Sequence, residues 1–321
     1  MKKPYVYVTR EVPEKALQAL KEIAEIGMWP GAEEPVPREI LLEEAAKADG
    51  LVTMLTEKID EELLACNEEL KVVANVAVGY DNVDVEAATK QGITVTNTPD
   101  VLTDTTADLT FALLMAAARR IAEAVDYVKE DKWTVWSPMQ LAGLDIHHKT
   151  IGIVGMGRIG QTVAKRAKGF DMEILYHNRS RKPEAEKQLG ATYAGFDELL
   201  GKSDFVVCLT PLNEETKDMF NADAFGKMKN SAVFVNVARG GVVDEEALAD
   251  ALRLGKIAGV GLDVFKNEPI GSNHPLLQFE NVVALPHIGS ASRETRMAMI
   301  ELACRNAALV LQGEEPETPV N

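Results

Sequence analysis

The stretch Thr150–Gly169, TIGIVGMGRIGQTVAKRAKG, constrains this chain more than any other. Ile151-Gly152-Ile153-Val154 is a short apolar run with β-branched residues, which reads as a buried strand. Gly155-Met156-Gly157-Arg158-Ile159-Gly160 follows at once, and a helical pattern then runs through Val163, Ala164 and Ala167. The result is G-x-G-x-x-G at a strand-to-helix turn. Gly155 permits the tight turn, Gly157 lets backbone approach a pyrophosphate, and Gly160 lets the helix lie close on the strand. The phosphates would sit at the helix N-terminus, where free N–H groups and the helix dipole favour an anion. The alternative is an ordinary Gly-rich turn; the strand before and the helix after favour a dinucleotide site. A mononucleotide loop fits less well, because Gln161 stands where that loop needs Lys.

A chain of 321 residues is long enough for two domains with sizeable cores. Its formal net charge of -16 argues against a general nucleic-acid binder and against docking on an anionic membrane. No apolar run approaches the length of a membrane-spanning helix. The first residues run straight into a strand with no apolar leader, so a soluble, cytoplasmic protein is expected. Cys66, Cys208 and Cys304 are widely spaced and odd in number, with neither a disulfide framework nor metal-ligand spacing. Buried free thiols are the expectation, and no metal is expected.

Strand and helix patterns alternate along the whole chain, which predicts an α/β fold of parallel sheets. Strands are expected at 4–9, 51–55, 71–78 and 93–96, with helices at 13–24, 38–48, 60–67 and 83–91. Residues 103–129 read as one long helix connecting a first unit to a second. Beyond the glycine motif, strands are expected at 173–176, 204–209, 232–237, 259–264 and 281–284. A last helix is expected at 292–311, then an acidic tail, 313–321, that frays. Two such units would leave a cleft, with ligands beyond the carboxyl ends of the strands.

The residues that follow each strand therefore carry the chemistry. A dinucleotide site of the NAD type places an acidic residue about 20 residues after the glycines, on the ribose 2′-hydroxyl. Here that place holds Asn178, followed by Arg179, Ser180 and Arg181. Two cations and a hydroxyl suit a 2′-phosphate, so NADP(H) is the expected dinucleotide, with NAD(H) as the alternative; the bland reading is a solvated basic loop. Thr210 and Pro211 end another strand and either lie along the cofactor or simply make a turn. Arg239 precedes Gly240 and Gly241 at a strand end, where it could grip a planar carboxylate by two hydrogen bonds. Asp263 interrupts an apolar strand and needs a partner, either a ligand amide or a backbone N–H. Glu268 and then His287 follow the last two strands. His147 and His148 read as surface residues, His274 as a loop residue, and His177 as a candidate neighbour of the adenosine side.

These residues resemble the D-isomer-specific 2-hydroxyacid dehydrogenases. The likeness rests on Asn75-Val76-Ala77-Val78-Gly79-Tyr80-Asp81-Asn82-Val83-Asp84, the glycine motif, Asn236-Val237-Ala238-Arg239-Gly240, Gly261-Leu262-Asp263-Val264-Phe265 through Glu268-Pro269, and Pro286-His287-Ile288-Gly289. Lys132 to Pro138 and His177 to Arg181 are similar to the glyoxylate/hydroxypyruvate reductases within it. The resemblance implies two Rossmann/flavodoxin-like parallel-sheet domains with a cleft between them. Residues 1–99 plus 288–321 would form a discontinuous substrate-binding domain, and residues 100–287 the NAD(P)-binding domain. It implies that His287 is the acid/base, Glu268 its carboxylate partner, and Arg239 the holder of substrate carboxylate and carbonyl. Val78 and Gly79 would offer N–H groups to that carboxylate, and Leu55 and Trp136 would bound the pocket, Trp136 either reaching it from a neighbouring subunit of a homodimer or serving as an aromatic of the dimer core. Asp263 would meet the nicotinamide carboxamide. Thr106, Arg158, Ile159, Ala238 and Gly289 complete the candidate cofactor set. The implied reaction is NADPH-dependent reduction of a small 2-oxo acid to its 2-hydroxy acid. The rival readings are a dehydrogenase for another 2-oxo acid, or a dinucleotide sensor that acts as a corepressor through protein partners.

Overall fold

The computed structural model describes residues 3–321. The chain divides into two compact units, Met1–Leu102 with Ala291–Asn321, and Thr103–Ser290.

The first unit runs β1 (Tyr5–Val8), α1 (Gln18–Lys21), β2 (Glu25–Met28), α2 (Arg38–Ala45), β3 (Gly50–Thr53), α3 (Glu61–Leu64), β4 (Val72–Asn75), α4 (Val85–Lys90) and β5 (Thr94–Thr96). Its strands form one parallel sheet in the order β2-β1-β3-β4-β5, so the order reverses between β1 and β3. Side chains alternate between faces. Tyr7, Leu51, Val73 and Val95 meet Leu41, Leu63, Leu64 and Ala87 of α2, α3 and α4.

The second unit begins with α5 (Thr103–Ala118) and α6 (Ile121–Lys129). It continues through β6 (Thr150–Val154), α7 (Arg158–Ala167), β7 (Glu173–His177), α8 (Pro183–Leu189), β8 (Thr192–Tyr193), α9 (Phe196–Lys202), β9 (Phe205–Cys208), α10 (Ala222–Lys227), β10 (Val233–Asn236), α11 (Glu245–Arg253), β11 (Gly259–Leu262) and β12 (Val282–Ala284). The seven strands are parallel, in the order β12-β11-β10-β9-β6-β7-β8. Strands covered on both faces read as near-continuous apolar runs. One face (Val206, Cys208, Phe234, Val260, Leu262) packs on Leu199, Phe225 and Leu248. The other (Ile151, Ile153, Phe205, Val207, Val233, Val235) packs on Phe111, Leu114, Val163 and Ala164. The order reverses between β6 and β9, and the glycine motif follows β6. The last helix, α12 (Arg293–Leu311), belongs to the first unit and packs against β3, β4 and α1.

Three expectations are corrected. Residues 103–129 form two helices, not one connecting helix. The chain breaks at Arg120, which takes a left-handed conformation at φ 53°. The Ala118 carbonyl is taken by the Leu144 N–H at 2.8 Å, and Gly143 packs so closely that a Cβ there would lie 2.3 Å from the Ala118 oxygen. α5 also does not bridge units; its Phe111 and Leu114 are core of the second. The 13–24 helix shrinks to a 3-10 turn, Glu14–Leu17, and the single turn of α1. The tail does not fray. Val320 N–H donates to the Val95 carbonyl at 2.8 Å, and the Asn321 side chain accepts from Val95 N–H at 2.8 Å, so the tail lies along β5.

Candidate active site

At the switch between β6 and β9 each glycine meets a separate demand. Gly155 has φ 105°, and a Cβ on it would lie 2.6 Å from the Leu209 carbonyl carbon. A Cβ on Gly160 would lie 2.1 Å from the Gly155 oxygen, which is what lets α7 start against the strand. Gly157, by contrast, faces open space, and as N-cap of α7 it makes no side-chain cap. The first-turn N–H groups of α7, on Arg158, Ile159 and Gly160, thus stand beside unfilled room, which fits a pyrophosphate. Thr210 and Pro211 follow β9 after Leu209, and a Cβ on Gly155 would lie 2.8 Å from the Thr210 nitrogen.

Asn178, just past β7, accepts from the Met156 N–H at 3.3 Å and so braces the glycine turn. Its amide donates to the Ser180 carbonyl at 3.0 Å, which curls the 178–181 loop. Arg181 is not free: its guanidinium makes two hydrogen bonds to Glu186, at 3.0 and 2.8 Å, and lies over the Tyr193 ring. Glu186 is held in turn by the Tyr176 hydroxyl at 2.6 Å. Arg179 and Ser180 are exposed. His177 sits among Tyr193 and Phe196 with Nδ1 3.1 Å from the Ala194 carbonyl.

The far strand ends hold the second cluster. His287 Nδ1 lies 2.8 Å from Glu268 Oε2, and Glu268 Oε1 accepts from the Phe265 N–H at 2.8 Å. Burial opposes the charged form of Glu268, but these two hydrogen bonds and the charges of His287 and Arg239 outweigh it and hold the carboxyl below its ordinary value. With Nδ1 committed to Glu268, Nε2 is the nitrogen left for a reactant. His287 has φ 53°, and its N–H donates to the Asp263 carbonyl at 2.9 Å. The Asp263 carboxylate accepts from Ile288 N–H at 2.8 Å and Gly289 N–H at 2.7 Å, so the backbone-partner reading of this buried Asp is the one the structure shows. Burial is the larger effect on it and raises its pKa, against those two hydrogen bonds. Thr106 packs beside Gly289.

Arg239 follows β10. The Asn236 side chain donates to the Arg239 carbonyl at 3.0 Å and accepts from Ala238 N–H at 3.0 Å. Gly240 is pressed against the Glu268 loop: a Cβ there would lie 1.9 Å from the Phe265 carbonyl carbon. Arg239, Glu268, His287, Asp263 and Gly289 are thus knit together in the second unit. In the first unit, Val78 and Gly79 lie in the loop after β4 and Leu55 in the loop after β3, all half-buried. Trp136 is 75% exposed. Asn75 and Asn236 stood in the sequence motifs without a role and Asn97 was passed over; all three are polar residues at strand ends whose side chains hold the loops. Their signal was an Asn closing an apolar run. Cys208 and Cys304 are buried, and burial pushes both thiols up to about 12. Cys66 is only half-buried.

Residues 111–289 match the family pattern described as D-isomer specific 2-hydroxyacid dehydrogenase, NAD binding domain. The chain belongs to the D-isomer-specific 2-hydroxyacid dehydrogenases. These are NAD(P)-dependent oxidoreductases acting on a CH–OH group. A glyoxylate reductase of Thermococcus kodakarensis is 51% identical over 99% of this chain and 96% of that protein. The crystal structure of a glyoxylate reductase from Paecilomyes thermophila superposes with TM-score 0.89 at 34% identity, covering 100% of this chain and 99% of that one. An NADPH-dependent glyoxylate/hydroxypyruvate reductase from Sinorhizobium meliloti, solved with NADP and malonate, gives TM-score 0.85 at 35% identity, over 99% and 97%. As a dehydrogenase of this family, the chain needs a dinucleotide site, and the Gly155–Gly160 turn fits one. No helix among the described residues is long and apolar enough to cross a membrane.

Proposed function

We propose that this dehydrogenase reduces glyoxylate, and with it hydroxypyruvate, to glycolate and D-glycerate, with NADPH preferred over NADH. The observation that carries the reading is the His287–Glu268 pair at 2.8 Å, joined through Gly240 to the Arg239 loop. It stands with full-length likeness to glyoxylate reductases.

The bound dinucleotide supplies a hydride to the carbonyl carbon. Negative charge then grows on the carbonyl oxygen, and the chain's own groups answer it. Arg239 grips the substrate carboxylate and leans its positive charge toward that oxygen. His287 delivers a proton to the oxygen from Nε2, and Glu268 holds the ring and stabilises its protonated form. Val78 and Gly79 offer N–H groups to the carboxylate, and Leu55 bounds the substrate's small substituent. Asp263 retains lone pairs for the nicotinamide carboxamide beyond the two N–H bonds it accepts. Thr106, Thr210, Pro211, Ala238 and Gly289 would help hold the same dinucleotide. The absence of an acidic residue at Asn178 supports a 2′-phosphate there. Since Arg181 is tied to Glu186, that phosphate rests chiefly on Arg179 and Ser180. A homodimer, with Trp136 reaching the partner's pocket, is part of the proposal.

Initial rates of NADPH and NADH oxidation with glyoxylate, hydroxypyruvate and pyruvate test it. NADPH with the first two substrates is the expected best pairing. Arg179→Ala is expected to raise KM for NADPH about tenfold and leave KM for NADH unchanged. Equal use of both dinucleotides by the native enzyme removes the cofactor assignment, and no turnover with any of the three acids removes the substrate assignment.

A further inference from the structure

Two loop carbonyls in the first unit are held from an unexpected direction. The Ala77 carbonyl accepts from the Thr98 N–H at 2.8 Å, and the Val78 carbonyl accepts from Asn97 Nδ2 at 2.8 Å. The next carbonyl, that of Gly79, accepts from Asn75 Nδ2 at 3.2 Å. A trans peptide unit is planar, with its C=O and the following N–H pointing in opposite directions. Holding the carbonyls of Ala77 and Val78 therefore aims the N–H groups of Val78 and Gly79 the other way. Neither of those N–H groups finds an acceptor among the described residues.

Asn97 is itself gripped by the C-terminal tail. Its N–H donates to the Thr318 carbonyl at 3.3 Å, and its carbonyl accepts from the Thr318 hydroxyl at 2.6 Å. Thr318 is in turn fixed by Asn306, a fully buried polar residue of α12. Asn306 donates to the Thr318 hydroxyl at 2.7 Å and accepts from the N–H groups of Glu317 at 2.8 Å and Thr318 at 3.2 Å. A buried amide with all these bonds satisfied fixes one geometry, because any slip leaves a polar group unpaired.

We propose that the tail is a strap that sets the aim of the Val78 and Gly79 N–H groups through Asn97, and so sets the affinity for the substrate's carboxylate. Asn97, Thr318 and Asn306 are positioning residues and do not touch the substrate. The proposal rests on the reading that places the carboxylate on those two N–H groups. It makes the tail segment around Thr318 part of substrate recognition.

The test uses the full-length enzyme with Asn97→Ala, Thr318→Val and, as the conservative variant, Thr318→Ser. Steady-state KM is measured for glyoxylate and for NADPH, with hydrogen exchange of the peptide spanning 76–82 followed in parallel. Asn97→Ala and Thr318→Val are expected to raise KM for glyoxylate about tenfold, with kcat and KM for NADPH little changed and exchange in 76–82 faster. Thr318→Ser is expected to restore both readouts. Unchanged exchange in folded Asn97→Ala overturns the strap. Faster exchange with an unchanged glyoxylate KM overturns the link to substrate, and shows that the carboxylate lies elsewhere while native turnover still stands. If Asn97→Ala unfolds, Thr318→Val carries the test, and if Thr318→Val unfolds, Asn97→Ala carries it.

Discussion

At the residue scale the proposed reaction turns on His287 and what surrounds it. Glu268 holds the ring at Nδ1, and the bond from the His287 backbone N–H to the Asp263 carbonyl holds the backbone that carries it. If His287 is the proton donor proposed above, His287→Ala is expected to lower kcat by about 10²–10⁴-fold while dinucleotide binding, read by NADPH fluorescence, persists. Unchanged turnover in that variant rules out His287 as the acid. Glu268 adds a pH signature. Its carboxyl titrates lower in the folded chain than in the unfolded one, despite the opposing effect of burial, because His287, the Phe265 N–H and the Arg239 charge favour the anion. A group with a depressed folded-state value contributes stability above its unfolded pKa, and that stability is lost as pH falls through the folded value. Thermal unfolding of Glu268→Gln should therefore lie below that of the native chain at pH 7, and the gap should close below about pH 4, where model carboxylates protonate. A gap that stays constant down to pH 3 would mean that Glu268 acts by shape and not by charge.

At the element scale the two sheets use one device twice. β4 ends at Asn75 and runs on as Val76-Ala77-Val78-Gly79, and β10 ends at Asn236 and runs on as Val237-Ala238-Arg239-Gly240. In each, the strand's last residue is a fully buried Asn whose side chain donates to a carbonyl of the loop that follows, that of Gly79 or of Arg239. The pattern converts an open strand end into a rigid shelf for the next few residues. Gly240 completes the shelf in the second sheet. Gly240→Ala forces a methyl group into the Phe265–Lys266 backbone, which must move away and take Glu268 with it. The expected cost is about 1–3 kcal/mol of stability, with a fall in kcat larger than in Arg239-independent dinucleotide binding. Calorimetry with parallel kinetics checks this, and native values for both exclude the close packing. The strands around these shelves were legible because buried parallel strands are continuous apolar runs with Gly or Asn at the end. β2 and β8 were not, since EIGM and a two-residue pairing carry no periodic signal. Nor was the break at Arg120, which has no Gly or Pro and is set by Gly143 and Leu144, more than twenty residues away in sequence. The same holds for the tail, whose docking depends on a buried Asn in α12. The glycine turn, Arg239, Glu268 and His287 were visible as motifs, but the engagement of Arg181 by Glu186 was not, because it needs Tyr176 to bring the partners together.

At the scale of the whole molecule the unexplained feature is a concentration of apolar surface. Ile121, Val125 and Val128 are each about half exposed and fall at i, i+4 and i+7, one face of α6, which buries none of its residues. Trp133, Val135, Trp136 and Met139 follow within eleven residues of its end, each more than 60% exposed. Scattered apolar residues on a surface are ordinary, but a run of seven in nineteen residues of one segment marks a surface built to be covered. The proposed cover is the same face of a second copy, the arrangement that places Trp136 at a neighbouring pocket. Sedimentation equilibrium at micromolar concentration should then give twice 35.0 kDa. Val125→Lys with Val128→Lys places two charges in the centre of that face and is expected to yield folded monomers, because neither side chain is buried within its own chain. If Trp136 serves the partner's pocket, those monomers should bind NADPH normally yet show a raised KM for glyoxylate. Trp136→Ala should reproduce the raised KM while remaining dimeric. Dimeric Trp136→Ala enzyme with native kinetics would leave the tryptophan as interface packing only, and a native chain that sediments as a monomer would sink the dimer itself.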